Sequence, residues 1–160
     1  METIYVAFGG IRMSENQIDI KLNSINKRIR DFEIELGVLH ALSLHLLLKK
    51  TGEEIALKNE IYLFKKNNLF KIGKSKDAYS RLLQFGKKST EIIWIGKFRI
   101  ADELEPILHN WFREKWAESD LDIGRSEWFE LSDADLSEFM KIVSTVKIIE
   151  EEAFRDTDPT

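Results

Sequence analysis

The sequence contains no cysteine among its 160 residues, which excludes disulfide bonds and thiolate metal sites. It also lacks a long apolar run, because the longest, over residues 36–48, is interrupted by His40 and His45 and is too short to cross a bilayer. The first residues, Met-Glu-Thr-Ile-Tyr, lack the basic segment of a signal peptide. We therefore expect a soluble, cytoplasmic protein with no membrane partner.

Several common catalytic patterns are absent as well. The sequence has no glycine-rich phosphate loop, no His-Glu-x-x-His zinc motif and no nucleophile elbow. His40 and His45 are five residues apart, so they would not share a helix face well and are poor candidates for metal ligands. A catalytic site must therefore use other side chains.

Charge is distributed unevenly along the chain, although the net charge is only −4. Residues 61–100 contain ten basic and two acidic side chains (+8), whereas residues 101–160 contain six basic and 17 acidic ones (−11). A basic block of this density is what contact with a phosphate backbone requires. A solvated lysine-rich surface, balanced by the acidic C-terminal part, would have the same composition. Charge alone supports the two interpretations about equally.

The sequence pattern in the first third of the chain predicts a short strand at residues 4–8, followed by a helical extension. Ser14 and Gln17 have the spacing of a helix capping box. The apolar residues that follow alternate four and three apart, which is typical of a coiled-coil seam. This seam consists of Ile18, Leu22, Ile25, Ile29, Phe32, Leu36 and Leu39.

We expect this helix to end near Asp31 or Gly37 and a second helix to cover residues 39–50. Alternation of apolar residues over residues 32–38 leaves a strand there as an alternative. Residues 14–50 would pack on the following domain, form a homodimer or bind a helical partner.

The remaining pattern predicts the α/β (α+β) class, with a small mixed sheet that opens with a β-hairpin and is flanked by helices. Asn67-Asn68 separates two apolar runs and marks the hairpin turn, since asparagine tolerates positive φ. The later predicted elements are a helix over about 76–84 ended by Gly86, a central strand over 92–100, a helix over 102–116, a strand over 128–131 and a helix over about 133–146. The expected divisions are a mainly helical extension (1–58), a domain (59–147) and a frayed acidic tail (148–160).

The hairpin and the following helix carry an ordered set of motifs. Ile61-Tyr62 is followed nine residues later by Lys71-Ile72-Gly73, and Arg81 lies eight residues after Gly73. This order and spacing resemble the motifs of the GIY-YIG nuclease superfamily, with Glu60 in the place of a glycine and lysine in the place of the second tyrosine. The lysine form is similar to a phage-type branch of that superfamily.

Two later motifs extend the resemblance. Leu-Glu-x-x-Leu-His occupies residues 104–109 and Glu-Trp-Phe occupies residues 127–129, in the order found in the same branch. The resemblance covers about residues 59–145 and implies a GIY-YIG-like fold for them. Residues 1–58 are not covered.

The resemblance implies a metal-dependent endonuclease that hydrolyses DNA phosphodiester bonds. Tyr62 would act as the general base, and because a free tyrosine ionises only near about pH 10, Lys71 would supply a nearby positive charge. Arg81 would bind the phosphate oxygens, a task that suits the guanidinium fork. Glu105 would hold Mg²⁺ or Mn²⁺, since one carboxylate with water and phosphate oxygens forms a normal site for such ions.

Further residues have lower priority in this interpretation. His109 lies one helical turn after Glu105 and would serve as a second ligand or as a proton donor. Glu127 would reach the metal from its strand. DNA contacts would come from basic side chains near the hairpin, namely Lys65, Lys66, Lys74, Lys76, Lys87 and Lys88.

Each of these residues also has a structural interpretation. Tyr62 could be a surface aromatic of the sheet, and the neighbouring cations could be ordinary solvated charges. Asp102 and Glu105 have the spacing of a capping box. His109 could lie at the edge of the core, and Glu-Trp-Phe could be a packing motif. The alternative function is therefore a catalytically inactive GIY-YIG-like module that binds nucleic acid or protein.

Overall fold

A computed structural model of the chain describes residues 4–6, 12–50, 58–86, 88–117 and 128–155. Two compact units are present, Met1–Leu36 and Gly37–Thr160. In the described part, no helix combines the length and the apolar character that a membrane crossing needs. The elements are β1 (Ile4–Val6), β2 (Arg12–Ser14), α1 (Glu15–Lys50), β3 (Asn59–Lys66), β4 (Leu69–Ser75), α2 (Ala78–Phe85), β5 (Glu91–Phe98), α3 (Ala101–Trp111), a 3₁₀ turn (Arg113–Lys115), β6 (Trp116–Ala117), β7 (Trp128–Phe129) and α4 (Asp133–Phe154).

The first unit begins with an antiparallel pair of short strands. β1 was expected, but its partner β2 was not, because β2 has only three residues and no alternating apolar pattern. Residues 7 and 8 of the expected strand lie outside the described residues. The capping box before α1 is confirmed, since Gln17 N–H donates to Ser14 Oγ at 3.2 Å and Ser14 N–H donates to Gln17 Oε1 at 3.0 Å.

α1 is one continuous helix, so the expected end near Asp31 or Gly37 and the alternative strand over residues 32–38 are wrong. Gly37 does not end the helix but allows close packing within the second unit. A Cβ at this position would lie 3.2 Å from Cδ1 of Ile107 on α3. Val38, Ala41 and Leu42 follow on the same part of α1 and are buried.

The second unit contains a five-stranded sheet in the order β5-β3-β4-β7-β6, and every described strand pair is antiparallel. The predicted α/β (α+β) class is confirmed, with an antiparallel rather than mixed sheet. β5 was expected at the centre of the sheet but lies at its edge, where Ile92 and Ile93 stay exposed. β4 is the central strand instead, because β3 pairs with one of its sides and β7 pairs with the other.

The local signals around the hairpin are confirmed. Asn67 and Asn68 have φ values of 50° and 64° and join the paired residues Lys66 and Leu69, as a two-residue turn with left-handed residues requires. α2 begins after Asp77, whose side chain accepts a hydrogen bond from Ser80 N–H. It ends at Gly86, which has a φ of 94° and is thus in the region that favours glycine.

The two faces of the sheet pack against different helices. Tyr62 and Phe64 lie on one face of β3 and pack with Ala78 and Leu82 of α2. On the opposite face, Trp94 pairs with Leu63 and its ring meets that of Phe139 on α4 at a centroid distance of 5.6 Å. α3 lies on this second face, since Phe112 at its end also contacts Phe139. We call the two sides the α2 face and the α3 face.

The C-terminal elements differ from the expected boundaries. α3 ends at Trp111 rather than near Trp116, because the chain turns and Trp116 pairs with Phe129 in the short strand β6. α4 continues to Phe154, so the expected end near Val146 and the frayed segment beyond it are wrong up to that residue. Glu150 explains the extension, since its buried carboxylate accepts hydrogen bonds from the N–H groups of Arg99 and Ile100.

Candidate functional site

Tyr62 is placed on the α2 face by the alternation of β3. Its ring stacks on Phe64 at a centroid distance of 4.1 Å, and the residue is only 2 % exposed. Gly73 is its partner on β4, and a Cβ there would fall 2.2 Å from the Tyr62 hydroxyl oxygen. The glycine of the second motif is therefore required by the close approach of this hydroxyl to the β4 backbone.

Lys71 lies on the same face, opposite Phe64 on β3 and Trp128 on β7. It is fully buried. Its Nζ is 5.0 Å from the centre of the Phe85 ring and 5.5 Å from that of Trp128, both within the range of a cation–π contact. Aromatic faces thus compensate part of the loss of hydration of this ammonium group.

Arg81 reaches the same group of rings from α2. It is half-buried, its Cζ lies 5.0 Å from the Phe85 ring centre, and its guanidinium donates to Gln84 Oε1. Phe85 therefore contacts both cations, while its ring meets Phe64 edge-on at 6.4 Å. The structure brings Tyr62, Lys71 and Arg81 together around these rings.

Glu105 lies on α3, on the other face of the sheet. Its side chain is 19 % exposed, and its Oε2 lies 3.9 Å from Lys74 Nζ. Lys74 follows Gly73 in β4 and therefore points to the opposite face. The same ammonium donates to Asp102 Oδ1 at 2.7 Å. Asp102, Glu105 and Lys74 form what we call the α3 ion group.

The charges of the α3 ion group stabilise one another. The hydrogen bond from Lys74 holds the pKa of Asp102 below its usual value, although partial burial opposes the shift. The same bond raises the pKa of Lys74 against the effect of burial. The capping-box interpretation of Asp102 and Glu105 is wrong, because the N-cap of α3 is Ile100, two positions before Asp102, and it makes no side-chain cap.

His109 bridges α3 and the sheet. Its Nε2 lies 2.7 Å from the carbonyl oxygen of Ile72 and must carry the proton of this hydrogen bond, since a carbonyl can only accept. Glu105 Oε1 is 4.0 Å from the same nitrogen, and the ring lies against Phe129. Nε2 cannot donate to Ile72 and bind a metal ion at the same time. Roles for His109 as ligand or proton donor stay predictions.

The oxygen donors of the α3 ion group are of the hard type that Mg²⁺ and Mn²⁺ prefer. Glu105 and Asp102 are three residues apart on α3, and both are close to one ammonium group. They fit a divalent cation in their chemistry, and Lys74 would compete with it for the same carboxylates. Among the described residues, no group of three or more His, Asp or Glu side chains gathers at a point.

Glu60 is a residue whose role the sequence did not reveal. Its Oε2 accepts a hydrogen bond of 2.6 Å from the N–H of Ala78, the first residue of α2. Two carboxylates, of Glu60 and Asp77, therefore occupy the N-terminus of α2 and stabilise its dipole. The Asp77 cap is a local interaction with Ser80, whereas the contribution of Glu60 depends on the packing of α2 on β3.

The predicted DNA-binding lysines lie in different environments. Lys65, Lys66 and Lys88 line a cleft of about 330 Å³ beside the hairpin turn. Lys66 also donates to the carbonyl oxygen of Phe85 at 2.7 Å, so it binds the last turn of α2. Lys76 is exposed. Lys87 and Glu127 lie outside the described residues, and their predicted roles stay predictions.

Comparison with known proteins gives one match. The family model of the T5orf172 domain matches residues 59–144, which include the hairpin, α2, β5, α3 and the first half of α4. No curated protein and no solved structure matches the chain.

Proposed function

We propose that this chain, which belongs to the T5orf172 domain family, is an endonuclease that hydrolyses DNA phosphodiester bonds with Mg²⁺ or Mn²⁺. The family supports a nuclease-like or DNA-binding role for residues 59–144 in general. One observation carries the more specific proposal. Lys71 and Arg81 both lie 5.0 Å from the Phe85 ring, next to the Tyr62–Phe64 stack, in the grouping that the GIY-YIG-like motifs predict.

In this proposal Tyr62 accepts the proton of the attacking water. Positive charges in its surroundings favour the ionised form of a tyrosine, and Lys71 supplies one within the same cluster of rings. Gly73 leaves the space that the hydroxyl occupies. Arg81, half-buried and supported by the Phe85 ring, presents its guanidinium to the phosphate oxygens.

Glu105 contributes the acidic part of the proposed site. A bound divalent ion would stabilise the charge that develops on the leaving oxygen. Glu105 would hold the ion, with Asp102 one helical turn away. Gly73, beside the Tyr62 hydroxyl, and Lys74, which pairs with Glu105, are consecutive in β4 but point to opposite faces. The proposal therefore requires a phosphate bound at the end of this strand, where it can reach both faces.

A plasmid-nicking assay tests the proposal. Supercoiled DNA is incubated with the wild type in Mg²⁺, in Mn²⁺ and in a chelator, beside Arg81→Ala and Glu105→Gln. We expect each substitution to slow nicking by about 100-fold or more, since each removes a group that stabilises charge in the transition state. Arg99→Ala is the matched control, because Arg99 also stacks on a ring, at 4.6 Å from that of Phe154. Nicking by the wild type at the rate of the Arg81/Glu105 double variant would refute the enzymatic proposal.

A second candidate is a module that binds nucleic acid without cutting it. It is favoured by the burial of Tyr62 and Lys71 and by the carboxylate of Glu60 at the α2 N-terminus. This candidate predicts salt-sensitive DNA binding with no nicking in either metal ion. Replacing Lys65 and Lys88 with Ala should then lower the salt slope of log K by about 0.9 for each lost phosphate contact.

A further inference from the structure

The first unit leaves the apolar seam of α1 exposed. Five seam residues, which are Leu22, Ile25, Ile29, Phe32 and Leu36, have exposed fractions between 49 and 62 %. They recur at intervals of three and four residues, so they form one stripe along the helix. A monomer seldom exposes an apolar stripe of this kind. Burial of this stripe against a partner would be favourable.

We propose that this seam binds further copies of the same chain, as a parallel coiled coil of α1 helices. The spacing assigns Leu22, Ile29 and Leu36 to the a positions of the heptad. Ile18, Ile25 and Phe32 occupy the d positions. All six core positions over residues 18–36 are therefore apolar, which provides an uninterrupted knobs-into-holes surface.

The charges that flank the seam favour a parallel copy. In a parallel coiled coil, a g residue faces the e residue five positions later on the neighbouring helix. Arg28 at g would face Glu33 at e of the other copy, and symmetry repeats this attractive pair. Lys21 at g would face the neutral Asn26 at e. No like charges face each other in this arrangement.

The antiparallel arrangement of the same seam is less favourable. It brings e residues opposite e residues and g residues opposite g residues. Asp19 would face Glu33 twice and Arg28 would face Arg28 once, against two attractive contacts between Lys21 and Glu35. Charge thus selects a copy in the same orientation. Leucine at a combined with isoleucine at d further favours three or four helices over two.

The mass of the full chain in solution tests the association. Analytical ultracentrifugation should give a multiple of 18.7 kDa at concentrations up to about 100 µM, where even a micromolar dissociation constant is detected. Ile25→Asp with Ile29→Asp should give the monomer mass. Ile20→Asp is the matched control, since Ile20 is 60 % exposed on the same helix but lies outside the seam.

Two outcomes would overturn the proposal. The first is a monomeric wild type over the whole concentration range. The second is dissociation of the Ile20→Asp control to the same extent as the seam variant. Circular dichroism of each variant measures its total helix content and so detects general unfolding of the chain. The result is independent of nicking activity, so it stands or fails separately from the proposed function.

Cysteine cross-linking tests the orientation, because the wild-type chain contains no cysteine. Leu22→Cys should form disulfide-linked dimers under mild oxidation, since a parallel coiled coil places equal a positions side by side. Ser24→Cys, at an outward position of the heptad, should remain unlinked. Linking of Leu22→Cys only to Phe32→Cys would indicate an antiparallel arrangement and refute the parallel one.

A charge-swap series provides an independent check. Arg28→Glu and Glu33→Arg should each weaken association about threefold to fivefold, and the double swap should restore it. Stronger association of Glu33→Arg alone would contradict the parallel pairing, because only the antiparallel arrangement relieves a repulsion there.

Discussion

On the α2 face of the sheet a buried lysine lies against aromatic rings, whereas on the α3 face a partly exposed lysine lies against carboxylates. Lys71 and Lys74 illustrate this contrast within one strand. Lys71 is fully buried between Phe85 and Trp128, and Lys74 is shared by Asp102 and Glu105. Packing fixes the first set of positions, whereas electrostatic attraction fixes the second. Substitution of Lys71 should therefore mainly change the free energy of unfolding, whereas substitution of Lys74 should mainly change the electrostatic interactions of Asp102 and Glu105.

The largest contrast is expected between Lys71→Ala and Lys74→Ala. Lys71→Ala leaves a cavity among buried rings and should lower the free energy of unfolding by about 2–4 kcal/mol. Lys74→Ala removes a partly exposed ion pair and should lower it by less than about 1 kcal/mol. Urea denaturation of both variants measures the difference.

Lys71→Met separates volume from charge at the same position. It keeps most of the side-chain volume, so its unfolding free energy should stay within about 1.5 kcal/mol of the wild type. Equal losses of stability in Lys71→Ala and Lys74→Ala would mean that the two faces do not differ in the way described.

Gly73→Ala should have the next largest effect on the free energy of unfolding. The new Cβ would overlap the Tyr62 hydroxyl, and the buried ring has little space to move, so we expect a loss of about 1–3 kcal/mol in unfolding free energy. Nicking should fall as well if Tyr62 is the base. Thermal and urea unfolding provide the measurement.

Gly37→Ala is the control for Gly73→Ala. Gly37 lies inside α1, where alanine is favoured by about 1 kcal/mol, and the nearest atom is the end of the flexible Ile107 side chain at 3.2 Å. Its stability should be unchanged or increased. A Gly73→Ala variant as stable as Gly37→Ala would show that Tyr62 adapts at little cost.

Lys74→Gln should change the metal requirement rather than the fold. Without the ammonium group, a cation at Glu105 has one positively charged competitor fewer. The concentration of Mg²⁺ for half-maximal nicking should therefore fall about fivefold, the equivalent of about 1 kcal/mol for a partly exposed pair. Titration of nicking with Mg²⁺ measures this. An unchanged or higher Mg²⁺ concentration for half-maximal nicking would show that Lys74 does not compete with a metal ion at Glu105.

The smallest effect is the pH dependence of stability that the Lys74–Asp102 pair contributes. Asp102 has a pKa below 3.8 in the folded chain, so its contribution is complete above pH 3.8 and is lost as pH falls through the folded pKa. Lys74 has a pKa raised above 10.5, so the same contribution is complete below pH 10.5 and is lost as pH rises through the folded pKa.

Asp102→Asn should remove both the loss of stability at low pH and the loss of stability at high pH. The amplitude is expected to be below about 0.5 kcal/mol, because the Asp102 side chain is 57 % exposed and screened by solvent. The pKa of Asp77 is lowered by hydrogen bonds from Ser80, and its acid dependence should persist in the variant. Unfolding curves that coincide for wild type and Asp102→Asn at pH 3 and 7 would show that the pair has no effect.

Sequence patterns succeeded where the physical cause lies within a few residues. The Ser14–Gln17 capping box, the Asn67-Asn68 turn and the Gly86 cap are each determined by local hydrogen bonds or by φ. The prediction that the helix ends near Gly37 was wrong, because this glycine makes room for Ile107 on α3, seventy residues away in the sequence. The edge position of β5 likewise depends on β7, whose pairing is not visible in the sequence around β5.

The candidate site was predictable to a similar extent. Alternation along a hairpin places Tyr62 and Lys71 on one face, and the helix that follows brings Arg81 to them. Their burial was not predictable, because it depends on how Phe85 and Trp128 cover the face from other elements. The ion pair between Glu105 and Lys74 was not predictable from the sequence either, since β4 and α3 come together only in the folded chain.

Glu60 has a consequence for how this chain could change over evolution. The GIY-YIG pattern has glycine at this position, but here the carboxylate accepts the hydrogen bond from Ala78 N–H at the start of α2. Glu60→Gly would leave that N–H without its partner and would add a flexible residue inside a strand, at a cost of about 1–2 kcal/mol. Position 60 and the α2 N-terminus are therefore coupled, and a glycine at position 60 should cost less once another group accepts the hydrogen bond from Ala78 N–H.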